Sequence, residues 1–335
     1  MRRFFALLLT AVLALSLLAG CTKSQEDAQQ QTGTSSDVSM AVVVAGTFGD
    51  RSFYDSSKEG ADRLAKDLGV QVKTIECNNV DHTQQIRNAA DAAEIVVLVG
   101  WEFYDVETVA PEYPDVHFIW VDNATSAPVA NVLNITYAQN EGSFLAGYIA
   151  AKMSQTGVVG AVGGEDTDTI NDFIVGYTQG AQYANSSIQV ETVYANTYDD
   201  PAVGKECALT LHEKKADVVF QIASKTGDGV FQAAQEKGFY AIGVDSDQKY
   251  IADDVIICSM MKQVGNSIYE AVSDYISGDT SKWGTTWVAD MATGFIGIGY
   301  GEAGATQQVP DSLKSEVEEL AKKIVSGEIQ VETTR

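Results

Sequence analysis

Residues 40–45, MAVVVA, form an unbroken apolar run of strand length. A run without polar alternation suits a parallel sheet covered on both faces. Residues 56–68 then carry helical spacing, with Gly69 as a stop. Further strands are expected at 70–76, 94–99, 117–121 and 132–136, and a helix at 83–93. Gly100 and Asp122 follow two of these strands directly. The unit reads β-α-β-α-β, with helices short enough for crossover connections.

The rhythm then restarts. Helices are expected at 141–153, 172–184, 201–214 and 229–237, and strands at 158–162, 189–194, 218–222 and 240–244. Gly163-Gly164 ends one of these strands and Asp245 ends another. The result is two α/β modules of about 100 residues each, with no linker-like composition between them. The tail carries a strand at 255–259, a helix at 264–276, a short strand at 295–299 and an amphipathic helix at 310–327. Asp311 or Ser312 is expected to cap that last helix, and Gly327 to stop it. Open α/β sheets bind ligands at the carboxyl ends of their strands, and two such sheets facing each other make a cleft.

Ahead of the first strand, Arg2-Arg3 precedes a run at 4–19 in which only Thr10 and Ser16 are polar. This is a secretory signal pattern, shorter than the ~20 residues that span a bilayer. The run ends Leu17-Leu18-Ala19-Gly20-Cys21, which resembles the bacterial lipobox. Cys21 is then expected to be lipidated and to become the first residue of the mature chain. The other reading is an ordinary signal peptide (1–20) with an incidental Cys. Residues 22–37 are mostly Gln, Ser, Thr and acidic residues with one Lys, and have no apolar period. The segment 21–37 is read as a flexible tether. The expected location is the outer face of the cell membrane, lipid-anchored.

Charge and motifs narrow the function. Lys+Arg of 22 against Asp+Glu of 46 gives −24, and removing Arg2 and Arg3 takes this to −26. Nucleic-acid binding needs a basic footprint and is not expected. Three histidines leave little room for a metal site. Cys77, Cys207 and Cys258 have no Cys-x-x-Cys spacing and read as buried small hydrophobes, with a single disulfide between two of them left open. Glu165, Asp166, Asp168 and Asp172 lack calcium-loop spacing and read as a solvated loop. No dinucleotide-type glycine fingerprint follows the first strand, and no Walker loop or nucleophile elbow is present. An enzyme on a Rossmann-like scaffold is therefore the weaker reading, and no cofactor or metal is expected.

Several segments carry a family resemblance. GDRSFYDS at 49–56 is similar to the G-D-x-S-F-N-D-S loop of the basic membrane protein (BMP) family, substrate-binding lipoproteins that serve ABC importers of nucleosides. EGSFLAGYIAAKM at 141–153 resembles that family's most distinctive helix. Residues 158–164, Phe173, GYTQGA at 176–181 and AIGVDSDQ at 241–248 are similar to later family segments. The likeness covers about 40–330. It implies a type I periplasmic-binding-protein fold: two Rossmann-like α/β lobes with a ligand cleft between them and three interlobe crossings. On that basis the lobes are 38–137 with 262–280, and 138–261 with 281–335. The implied function is capture of a small ligand, most simply a purine nucleoside, for ABC permease subunits, by a protein expected to be a monomer. A sensory lipoprotein, or an importer receptor for another ligand on the same scaffold, is the alternative.

The resemblance also implies site residues. Phe53 stands where the family has a stacking aromatic, and Phe220 lies near the second, where it reads equally as core. Asp245 and Lys262 resemble a clamp on the ribose diol. Asp55 is read as a ligand acceptor or as the N-cap of the following helix. Asp105 and Asp122, after the third and fourth strands, and Trp101 are candidates to face the cleft. Gly227 ends a loop, Ser224-Lys225-Thr226-Gly227, that replaces a glycine-richer family loop where backbone approaches ligand. Tyr54 stands in place of the usual Asn, and Ala45 in place of an Asp that many members carry. These departures sit near the expected pocket and leave the ligand open on a retained scaffold.

Overall fold

The structure is a computed structural model that describes residues 37–334 apart from Asn79. The signal, Cys21 and nearly all of the tether lie outside the described residues. The described residues form one compact unit.

Its first sheet is built on β1 (Ser39–Val44), whose residues 40–44 are all buried. Met40, Val42 and Val44 pack on one face, and Ala41 and Val43 on the other, so both faces are covered and the run has no polar side. Around it stand β2 (Gln71–Glu76), β3 (Ile95–Val99), β4 (His117–Val121) and β5 (Val132–Tyr137). The order is completed at one edge by a later strand, β11 (Thr286–Ala289), which pairs parallel with β5. Helix α1 (Phe53–Leu68) ends at Gly69 in left-handed backbone, and α2 (His82–Ala90) starts on Asp81, whose carboxylate accepts the Gln84 amide. A short α3 (Val106–Val109) follows β3.

The second sheet repeats the plan. Its strands are β6 (Val158–Gly163), β7 (Gln189–Tyr194), β8 (Val218–Ile222), β9 (Tyr240–Asp245), β10 (Ile256–Lys262) and an antiparallel edge strand, β12 (Ile296–Gly299). Its helices are α4 (Gln139–Met153), α5 (Asp168–Ala184), α6 (Pro201–Glu213) and α7 (Asp228–Lys237). Helices α4 and α5 approach backbone to backbone: a Cβ on Gly147 would strike the Tyr177 carbonyl, and one on Gly180 the Phe144 carbonyl. The chain then returns to the first lobe as α8 (Val264–Ile276) and β11, and ends in the second with β12 and α9 (Asp311–Val325). The apolar faces under α1 and α8 and under α4 and α5 belong to one continuous core, which joins the lobes.

Four expectations change. Pairing of β11 with β5 puts the third crossing after Ala289 rather than at 281, because this short strand completes the first sheet's edge. Helix α5 begins at Asp168, where Thr167 accepts the Ile170 amide; Asp172 is then buried and holds Thr333 Oγ1 and the Thr334 amide, so it is no solvated loop residue. Helix α9 has Pro310 at its N-cap and no side-chain cap from Asp311 or Ser312. Asp55 does not cap α1; Asp50 does that work, as described next. Cys77, Cys207 and Cys258 are buried and unpaired.

Candidate functional site

The chain leaves β1 through Ala45-Gly46 and turns into α1 over residues whose amides have no partner within the helix. Asp50 supplies the acceptor: its carboxylate takes the amides of Ser52 (3.1 Å), Tyr54 (3.0 Å) and Asp55 (3.0 Å). Burial nevertheless pushes the Asp50 carboxyl above its ordinary pKa, against these hydrogen bonds. Asp55 closes the loop from below, accepting the amides of Gly49 and Arg51 at 2.8 Å each. It is therefore engaged in holding backbone and is not on the cavity wall. This wiring fixes Phe53 and Tyr54 at the first-lobe wall.

The same loop is stitched to the second lobe. Ser224 Oγ donates to Asp50 (2.8 Å), Ser52 Oγ donates to Asp245 (2.5 Å), and Gln248 Nε2 donates to the Arg51 carbonyl (3.0 Å). Arg51 also pairs with Asp228 at the start of α7.

Between the lobes these elements line a cavity of about 100 Å³. Phe53, Tyr54, Trp101, Glu102 and Asp122 face it from the first lobe. The start of α5, with Thr169, Ile170 and Phe173, faces it from the second, together with Tyr198, Ser224, Asp245 and Lys262. Three residues at its strand ends hold left-handed backbone without being glycine: Asp122 (φ 70°), Ser224 (φ 50°) and Asp245 (φ 63°). Such strain costs of order 1–3 kcal/mol each and concentrates where ligands are clamped.

The electrostatic centre is Lys262. Its ammonium is buried, lies 2.5 Å from Asp122 Oδ2, and stands over the rings of Phe53, Tyr137 and Phe173 at 5.1, 4.9 and 5.2 Å. Its direct ion-pair partner is thus Asp122 rather than Asp245. Asp245 is bonded to the Ser52 hydroxyl, and burial pushes its pKa up to about 6. Lys262 and Ser52 pull that value down, while Asp50 and Asp122 push it further up.

Of the residues expected from sequence, Phe53, Tyr54, Trp101, Asp122, Asp245 and Lys262 meet around this cavity. Asp105 does not: it accepts from Thr83 Oγ1 beside α3. Phe220 lies fully inside the core against Phe173 and Tyr177. Gly227 is buried against Gln221, where a Cβ would strike the amide oxygen. Glu102, Thr169, Ile170 and Tyr198 were missed. Glu102 lies three residues past the end of β3, within reach of the strand-end rule that finds Asp122; Tyr198 lies in an irregular loop after β7 and has no local signal. Among the described residues, no group of His, Cys, Asp and Glu is arranged to hold a metal ion.

The family model for Bmp, described as ABC transporter substrate-binding protein PnrA-like, matches residues 37–335. The chain belongs to this family. Basic membrane protein A2 of Borrelia garinii subsp. bavariensis is 31% identical to it over 298 residues, 87% of each chain. Basic membrane protein A of Borreliella burgdorferi is 30% identical over 302 residues, 88% of each chain. Among solved structures, an ABC transporter solute-binding protein from Aeropyrum pernix K1 superimposes with a TM-score of 0.79 at 27% identity, covering 88% of this chain and 93% of that one. One from Conexibacter woesei gives 0.73 at 25% identity, covering 89% and 99%. The fold is the two-lobed type I solute-binding fold, and this Bmp-family chain is a substrate-binding protein of the ABC-transporter class, a family that works outside the cytoplasm. No helix among the described residues is long and apolar enough to cross a membrane.

Proposed function

We propose that this Bmp-family protein captures a purine nucleoside at the outer face of the membrane, anchored through a lipid on Cys21, and delivers it to an ABC importer. The observation that carries the reading is one cavity bearing both halves of a nucleoside's chemistry. Phe53 and Phe173 offer flat apolar faces for a base. Asp245 offers a buried acceptor for a ribose diol, and Lys262 a donor.

Capture is by closure. The bonds from Ser224 to Asp50 and from Ser52 to Asp245, and the Arg51–Asp228 pair, all join one lobe to the other. Opening the cleft breaks them, and a ligand that touches both walls favours the state in which they form. The closed form is the one that docks on the permease.

The test is a thermal-shift panel on the purified full chain, with guanosine, inosine and adenosine beside free bases, sugars and amino acids. A ligand at 100 times its Kd stabilises the native state by about 2.7 kcal/mol. The expected result is a shift with nucleosides that Phe53→Ala abolishes. A shift with sugars or amino acids and none with nucleosides would overturn the reading.

A further inference from the structure

Four carboxyl groups stand in or behind the cavity wall, and three have donors in place. Asp50 holds backbone amides and the Ser224 hydroxyl, Asp122 holds Lys262, and Asp245 holds Ser52. Glu102 is different. Its Oε2 is buried and has no hydrogen-bond partner among the described residues. A buried acceptor left unpaired costs about 1–3 kcal/mol, and native structures leave few of them.

Small neighbours make the space for it. A Cβ placed on Gly100 would lie 2.5 Å from Oε2 and 3.1 Å from the Ala45 side chain. Gly100 itself takes φ 131°, a backbone that only glycine adopts readily. Charged and titratable groups face the carboxyl from several elements. His82 comes from the start of α2, its Nε2 also without a hydrogen-bond partner among the described residues; Glu165 comes from the loop before α5, and Tyr54 and Tyr198 from either lobe. Burial pushes the Glu102 pKa up, its own backbone amide and His82 draw it down, and Glu165 adds to the rise. A donor arriving from the cavity relieves that desolvation.

We propose that Glu102 selects the edge of the base, accepting an N–H from it through Oε2 and so favouring 6-oxopurine nucleosides, which carry a hydrogen at ring N1, over adenosine, which carries a lone pair there. The inference rests on the nucleoside reading above. Guanosine and inosine satisfy the buried oxygen. Adenosine sets one lone pair against another.

Calorimetric titration of the full chain with guanosine, inosine and adenosine tests this on the wild type, Glu102→Gln and Glu102→Ala. The wild type is expected to bind the two 6-oxopurines at least about tenfold more tightly than adenosine, the scale of one hydrogen bond to a charged acceptor. Both variants should lose most of that ratio, through weaker guanosine and inosine binding, while keeping the ligand-free melting temperature within a few degrees. Wild-type binding of all three nucleosides without preference, or a ratio unchanged in both variants, would overturn the role of Glu102 alone. No binding of any nucleoside to the wild type would overturn the nucleoside reading and this inference with it.

Discussion

The fourth strands of the two lobes, β4 and β9, occupy equivalent places in their sheets and end in the same dipeptide, Val121-Asp122 and Val244-Asp245. Both aspartates take left-handed backbone, and each is bonded by a residue from the opposite lobe. The partners differ in kind. Asp122 meets the ammonium of Lys262, a full charge, while Asp245 meets only the hydroxyl of Ser52. One topology therefore presents two carboxyl groups to one cavity with two kinds of partner. The strand end supplies the carboxyl, and the lobe across the cleft supplies its hydrogen-bond partner.

Asp122→Asn should break the comparison with the largest effect. The Lys262 side chain is only 2% exposed, so removing the charge beside it strands a buried ammonium. Loss of one partner of a buried pair costs about 3–5 kcal/mol. Urea unfolding at pH 7.5 should show that loss, and a cost under about 1 kcal/mol would mean that Asp245 alone sustains Lys262.

Asp245→Asn should act in the opposite direction. Its carboxyl is raised from 3.8 to about 6 in the folded chain, so the folded state holds the proton more tightly than the unfolded one. The stability this group contributes is full below its unfolded pKa near 4 and is lost as pH rises through about 6. At pH 7.5 the ligand-free variant should be more stable than wild type, by roughly 3 kcal/mol at most, and its stability should vary less between pH 4 and 6.5. Unfolding midpoints across that range measure it. Destabilisation at pH 7.5 of the size expected for Asp122→Asn would erase the distinction between the two sites.

Arg51→Met should give the smallest effect. Its pair with Asp228 also crosses the cleft, but the arginine side chain is 39% exposed and screened by solvent. A stability cost of about 1 kcal/mol or less is expected, shrinking with added salt. A loss of several kcal/mol, independent of salt, would make this pair part of the buried clamp instead.

Legibility followed solvent exposure. β1 and β3 could be read because both faces of each are buried, which leaves five consecutive apolar residues in each strand. β11, Thr286–Ala289, could not: it is four residues long, mostly uncovered, and becomes a strand only because β5 leaves an edge for it. Asp50 was hidden for a similar reason. Asp50 and Asp55 both lie beside the start of α1, and only the path of the loop decides which carboxylate meets the helix amides.

The same division runs through the site. Local pattern determined most strands, most helices and the aspartates at their ends, since each follows from the period at which a segment meets water. Tertiary structure alone decided the partners. Lys262 is 140 residues from Asp122, and Ser52 is 193 from Asp245. No local period reaches across such separations. Which carboxyl receives a cation, which receives a hydroxyl, and which, at Glu102, keeps one oxygen without a partner among the described residues depends on how two independently patterned sheets close on each other.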